Sequence, residues 1–98
     1  MHIITKRTLD CFWQRHPDAK QPLLAWYYEA KHAQWTQFQD IRDKYRSADV
    51  LAGNRVIFNI GGNKYRLIVK VEYQIQAIYI RFIGTHAEYD KLASPETL

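Results

Sequence analysis

Ninety-eight residues, 47% of them hydrophobic and 14% aromatic, suffice for one domain (1–98) with a packed core and are too apolar for a disordered chain. The net charge of +4 permits a polyanionic partner, and it is concentrated: five Lys or Arg side chains but only one acidic residue fall between Arg55 and Arg81. Cys11 is the only cysteine, the four histidines lack metal-motif spacing, and no apolar run nears the roughly 18 residues of a membrane span, so the expectation is a soluble intracellular protein without disulfide, metal, cofactor or membrane contact.

The chain opens with HIIT, too short for a strand alone but able to extend an existing sheet. From Lys6 to His16, the residues Leu9, Phe12, Trp13 and His16 recur at i, i+3, i+4 and i+7, the stripe of an amphipathic helix. Pro17 stops it, because the residue before proline is pushed out of helical geometry. A second helix is expected from near Pro22 to about Ala33, with Leu23, Trp26, Tyr27 and Ala30 on its apolar side. Thr36 and Gln39 have capping-box spacing and predict a third helix carrying Phe38, Ile41 and Tyr45. Trp13, Trp26 and Trp35 read as core or its margin. Residues 47–54 read as the loop leading to the sheet, and ASPETL at the end as a frayed tail.

The stretch from Val56 to Asp90 carries the chemistry. Two alternating strands flank Gly61-Gly62, read as a two-residue hairpin turn in which Ile60 faces Asn63, Phe58 faces Tyr65 and Val56 faces Leu67. A four-residue loop, 73–76, then pairs Glu72 with Ala77 and starts a third strand, Ala77 to Ile83. This register sets Val56, Phe58, Leu67, Val69, Val71, Ile78, Ile80 and Phe82 on one apolar face. Arg66, Ile68 and Lys70 lie on the other, beside Ile83, Arg81 and Tyr79, so that Arg66 and Arg81 become diagonal neighbours with Lys64 nearby. Like charges so placed repel unless an anion lies between them. The helices are expected to cover the apolar face and to leave the cationic one open.

Thr85, His86, Ala87 and Glu88 form a second capping box, opening a short helix on which His86, Tyr89 and Asp90 lie near one face. Its free amides suit a phosphate. One imidazole, one phenol and two guanidiniums can thus meet on a phosphodiester: Arg66 and Arg81 as permanent charge stabilisers, His86 and Tyr89 sharing acid–base work in an order left open. Arg55, Lys64, Lys70, Asp90 and Lys91 complete the set of candidate nucleic-acid contacts. A non-catalytic RNA- or ribosome-binding module using the same basic face is the alternative.

The segments FNIGGNKYRLIVKV and IYIRFIGTHAEYDK, with the opening MHIIT, resemble the RelE superfamily of bacterial toxins, specifically its HigB-type branch. They cover roughly half of the chain and contain the patterns GGNxxR and IRxxxTHxEYD. The resemblance implies a RelE-like α+β fold: an N-terminal strand, two or three helices on one face of an antiparallel sheet, and a short C-terminal helix. It also implies a type II toxin–antitoxin toxin, an mRNA-cleaving endoribonuclease commonly acting at the ribosome in the cytoplasm. Such toxins are restrained by a cognate helix-turn-helix antitoxin of the HigA type. Arg66 and Arg81 match the strand arginines of the pattern, and His86, Tyr89 and Asp90 match its THxEYD segment. Arg55 and Lys64 stand where other members carry lysines or additional histidines.

Overall fold

The computed structural model describes residues 1–98. Its elements run β1 (His2–Ile4), α1 (Lys6–Arg15), α2 (Lys20–His32), α3 (Phe38–Lys44), β2 (Asp49–Leu51), β3 (Arg55–Ile60), β4 (Tyr65–Glu72), β5 (Ala77–Thr85) and α4 (His86–Asp90). The strands form one five-stranded sheet in the order β1-β5-β4-β3-β2. All neighbours are antiparallel except β1, which lies parallel to β5 and is paired only from His2–Ala77 to Ile4–Tyr79. The fold is therefore α+β, as expected, with a mixed rather than purely antiparallel sheet.

Alternation along β3 and β4 sends Val56, Phe58, Ile60, Tyr65, Leu67, Val69 and Val71 to the face covered by helices, where they join Leu9, Phe12, Leu23, Trp26, Trp35 and Ile41 in one core. Trp26 and Trp35 are buried and Trp13 packs at the margin, as their spacing predicts. Helix α1 ends at Arg15, and Pro17 opens a single 3-10 turn that passes the chain into α2.

Four local expectations are corrected. Thr36 does not cap α3. Gln37 is its N-cap residue, and the backbone and hydroxyl of Thr36 instead donate to the Asp40 carboxylate at 2.9 and 3.0 Å. The segment read as a loop contains β2, a three-residue edge strand pairing Asp49–Leu51 with Ile57–Arg55. Its only strong strand former is Val50, which is exposed, so period-two patterning carried no signal there. The first hairpin has a four-residue loop, Gly61 to Lys64, and pairs Ile60 with Tyr65 and Phe58 with Leu67. Both glycines adopt positive φ, +63° and +68°, but in the wider loop. The shift is two residues, an even number, so each side chain keeps its predicted face while its partner changes.

The fourth correction concerns β5. Its register with β4 follows expectation from Glu72–Ala77 to Val69–Ile80, then slips, with Ile68 opposite Phe82 and Arg66 opposite Gly84. Arg81 is the extra residue of a β-bulge. Ile83 consequently turns to the core and Phe82 to the other face, the reverse of the predicted assignment.

That other face is not left open. Ile57 and Ile68 lie on it, outside the helical core, yet are only 6% and 0% exposed. The chain beyond β5 folds back towards it: a 3-10 turn at Pro95–Thr97 is followed by Leu98, whose backbone oxygen accepts a 2.6 Å hydrogen bond from Arg55 Nε. The tail read as frayed is held against the sheet.

Candidate functional site

The site is built where β4 begins and α4 follows β5. Arg66 stands opposite Gly84 across the ladder and opposite Asn59 on β3. Two residues past Gly84 the chain enters α4. Thr85 caps it: its hydroxyl accepts from the Glu88 amide at 3.1 Å, and Glu88 Oε1 accepts from the Thr85 amide at 2.8 Å. The Thr85 backbone donor, with its hydroxyl and the nearby His16 and Arg15, holds the Glu88 carboxyl below its ordinary pKa. The box fixes the direction in which α4 leaves the sheet, and with it the positions of His86 and Tyr89. The phosphate role expected of its amides is weakened, because α4 is one turn long and Thr85 already occupies the Glu88 amide.

Gly84 stands at a close approach. A Cβ at this position would stand 2.6 Å from the Phe82 ring and 3.0 Å from the Glu88 carboxylate. The missing side chain lets the Phe82 ring and the α4 cap share the space beside Arg66.

Three of the predicted residues converge. Arg66 Nε donates to His86 Nε2 at 3.3 Å, and the Arg66 guanidinium carbon sits 4.5 Å from the centre of the Tyr89 ring. An Nε2 that accepts presents its lone pair to the guanidinium. The Nη groups of Arg66 donate to no protein acceptor and face no carboxylate, which leaves a bidentate donor edge for a phosphate. Stacked on a phenol and flanked by an imidazole, this guanidinium is held in place before any ligand arrives.

The other predicted residues lie apart from this cluster. Arg81, exposed and laid over the Tyr79 ring at 5.4 Å, lies in the bulge between Ile80 and Phe82, level with Ile68 and Val69 on β4, about 7–10 Å along the sheet from Arg66. It is not a diagonal neighbour of Arg66, because the bulge inserts it beyond Phe82. Arg55 is tethered to Leu98 and turned towards the Ala52 and Gly53 carbonyls. Lys70 pairs with Glu72 at 3.4 Å, and Lys64 with Asp18 at 2.9 Å. Asp90 and Lys91 are exposed on and just after α4 and make no ion pair. No three His, Cys, Asp or Glu side chains are grouped to hold a metal ion. No helix is long and apolar enough to cross a membrane.

Two neighbours of the site are new. Asn59 faces Arg66 directly, donates to Ser47 O at 3.4 Å, and has a buried Oδ1 with no partner. The two-residue turn would have set Lys64 opposite it, so the loop length hid this contact. Asp18 is the second. It accepts from the Tyr65 hydroxyl and from Lys64 Nζ, bracing the strand start that carries Arg66. These two donors, Tyr65 first, hold the Asp18 carboxyl below its ordinary range, and the same contact pushes the Tyr65 phenol up. A depressed carboxylate contributes stability above its unfolded value, near ~3.9, and loses it as pH falls through the lower folded value. Asp18→Asn is therefore expected to lower the thermal midpoint at pH 7, with the gap to the parent closing as the pH falls through the depressed folded value; thermal melts from neutral to acid pH check it.

A sheet with helices on one face, and a guanidinium–imidazole–phenol cluster beside a capped turn at one end of the other, define a small basic α+β domain. Residues 19–92 match the HigB toxin family, described as the RelE-like toxic component of a toxin–antitoxin system, and the chain belongs to that family. It is 29% identical over 92 residues to the mRNA interferase toxin HigB of Escherichia coli (strain K12), covering 92% of this chain and 88% of that protein. The mRNA interferase HigB of Shigella flexneri gives the same figures. The HigB of Escherichia coli O6:H1 is 26% identical over 94 residues, 94% of this chain and 91% of its own.

Proposed function

We propose that this toxin is an endoribonuclease that cleaves mRNA in the cytoplasm during translation on the ribosome, and that Arg66, His86 and Tyr89 form its reacting centre. The observation that carries the proposal is the Arg66 guanidinium, fixed by His86 and Tyr89 with its Nη edge free. Family membership and the names of the relatives support the substrate. The partner that restrains it is a cognate HigA-type helix-turn-helix antitoxin.

The chemistry follows from what RNA brings. The 2′-hydroxyl is an internal nucleophile already placed beside the phosphorus, so proximity costs the protein little. When a phosphate accepts from the Nη edge, Arg66 shifts towards it and His86 Nε2 is released as a base. His86 then takes the 2′-proton, the 2′-oxygen bonds to phosphorus, and Arg66 stabilises the charge gathering on the equatorial oxygens. The phosphorus–O5′ bond breaks, and the 5′-oxygen collects a proton from Tyr89 or from the protonated His86. Arg81 and Lys91, both exposed and outside any ion pair, hold flanking phosphates. Arg55, Lys64 and Lys70 contribute once RNA displaces Leu98, Asp18 and Glu72 from them.

The test is the chemistry of the fragment ends. Purified protein added to translating ribosomes is expected to leave discrete mRNA fragments with 2′,3′-cyclic phosphate or 3′-phosphate on one side and a 5′-hydroxyl on the other. Bound but intact mRNA would establish a binding module instead, and 3′-hydroxyl ends would remove the 2′-hydroxyl mechanism.

A further inference from the structure

We infer that Asn59 is a positioning residue of the reacting centre: its side-chain oxygen is the seat to which the Arg66 guanidinium transfers when it leaves His86. The inference rests on the mechanism proposed above and supplies an acceptor which that mechanism lacks. In the free protein Arg66 Nε donates to His86 Nε2 at 3.3 Å. A guanidinium can only donate, so the lone pair of Nε2 is engaged. A nitrogen held in this way cannot take the 2′-proton, and His86 serves as a base only after Arg66 has let go. The Nε–H of Arg66 then needs another acceptor, since a donor left unmade in a partly buried site costs more than an ordinary hydrogen bond gains.

Asn59 offers that acceptor. It stands directly opposite Arg66 on β3, so the two side chains share one face of the sheet, with Cβ atoms roughly 4.5–5.5 Å apart. Its amide nitrogen donates to Ser47 O at 3.4 Å. A carbonyl oxygen can only accept, which fixes the orientation of the amide and leaves Oδ1 as its free end. That oxygen is buried without a hydrogen-bond partner. The other buried side-chain atoms in this condition, Trp26 Nε1 and Tyr45 OH, belong to aromatics packed in or against the helical core; only the Asn59 oxygen lies beside the site. Closed to solvent, Oδ1 is not offered to a ligand, and the residue facing it is a cation. An orphan acceptor and a donor with bonds to spare, set opposite each other across one ladder, are the two halves of a hydrogen bond that forms in a second rotamer of Arg66.

The exchange is close to balanced. The contact with His86 is slightly longer than the usual ~2.7–3.2 Å of N–H donors, so it is readily given up. Moving Nε–H from His86 Nε2 to Asn59 Oδ1 leaves both Nη groups as a fork for the phosphate and bares the imidazole nitrogen. A bound phosphate thus selects the rotamer in which charge stabiliser and base are ready together.

The test compares Asn59→Leu, which removes the acceptor at similar volume, with Asn59→Asp, which keeps an oxygen opposite Arg66 but loses the donor to Ser47. On translating ribosomes Asn59→Leu is expected to lower the kcat of mRNA cleavage roughly tenfold or more at unchanged KM, the worth of one hydrogen bond to a charged group. Asn59→Asp is expected to recover most of that loss. A parental kcat in Asn59→Leu overturns the inference. So does a loss that Asn59→Asp leaves unrestored, which would make Asn59 a structural residue acting through Ser47. The second measurement needs no RNA: the nitrogen NMR resonance of His86 Nε2 in the free proteins. A carboxylate opposite Arg66 is expected to draw Nε–H off the imidazole, so this resonance moves in Asn59→Asp and stays in place in Asn59→Leu. An unmoved resonance in Asn59→Asp overturns the seat. If the parent itself leaves mRNA intact, the endoribonuclease reading falls, and the resonance still decides whether Asn59 receives Arg66.

Discussion

Replacing Arg66 with alanine is expected to lower mRNA cleavage by roughly two to three orders of magnitude, the usual effect of removing one preorganised donor to a developing anion. The substitution should leave the fold in place. Arg66 is partly exposed, forms no salt bridge, and its contact with Tyr89 is worth only about 0.5–1 kcal/mol at such a site. Arg66→Lys keeps the charge but loses the planar fork and the Nε contact with His86, so it should recover a small part of the activity. Arg81→Ala should do less damage than Arg66→Ala, because Arg81 sits in the bulge, level with Ile68 and Val69, outside the contacts that Arg66 makes with His86 and Tyr89. Single-turnover cleavage rates of the three variants, with circular dichroism to verify the fold, provide the check. Equal losses for Arg66→Ala and Arg81→Ala would mean that the two guanidiniums share one phosphate and that RNA binding rearranges the bulge.

The largest loss of stability is expected from Phe58→Ala. Phe58 is 1% exposed and makes edge-to-face contacts with Trp26 at 5.4 Å and Tyr45 at 5.1 Å. It thereby joins α2, the end of α3 and the middle of β3. Removing a buried phenylalanine costs about 3–5 kcal/mol, with the aromatic pairs contributing at the upper end. Against a typical domain stability of about 5–15 kcal/mol, that unfolds a large share of molecules near physiological temperature. Guanidinium unfolding should show a much lower midpoint with an unchanged slope. Phe58 adjoins Asn59 and faces Leu67, the neighbour of Arg66, so cleavage should fall in step with the folded fraction and recover when the temperature is lowered. A variant that stays folded yet inactive would show that this core also sets the geometry of the site.

The parts of the fold legible in the sequence are those where one face is buried on a regular period. The stripe Leu9, Phe12 and Trp13, and the alternation from Val56 to Val71, each admit only one orientation towards a core. What escaped is where backbone geometry changes without a compositional mark. A Gly-Gly pair suits a two-residue turn and equally a four-residue loop, and the even shift between them leaves the face pattern unaltered. The bulge at Arg81 is silent because Ile80, Phe82 and Ile83 are all apolar, so inward and outward positions read alike. Strand β2 is too short to alternate. Of the site, Arg66, His86 and Tyr89 were legible because a capping box fixes where α4 begins. Asn59 and Asp18 were not, since one depends on the hairpin register and the other on α1 and the following turn meeting β4.

The bulge also explains why a convergence of two arginines, sound as an argument from charge, is replaced by one arginine held by an imidazole and a phenol. Repulsion between neighbouring guanidiniums is avoided by moving one of them along the strand, and no anion is needed to hold the free protein together. On the proposed reading one guanidinium, Arg66, meets the scissile phosphate and Arg81 a neighbouring one.

The most direct test of that claim is primer extension on a translated mRNA incubated with the purified toxin, beside Arg66→Ala and His86→Ala proteins of verified fold. Discrete cuts by the parent that disappear with either substitution are the predicted result. Cuts by both variants at the parental rate would contradict the assignment of the Arg66, His86 and Tyr89 cluster as the reacting centre.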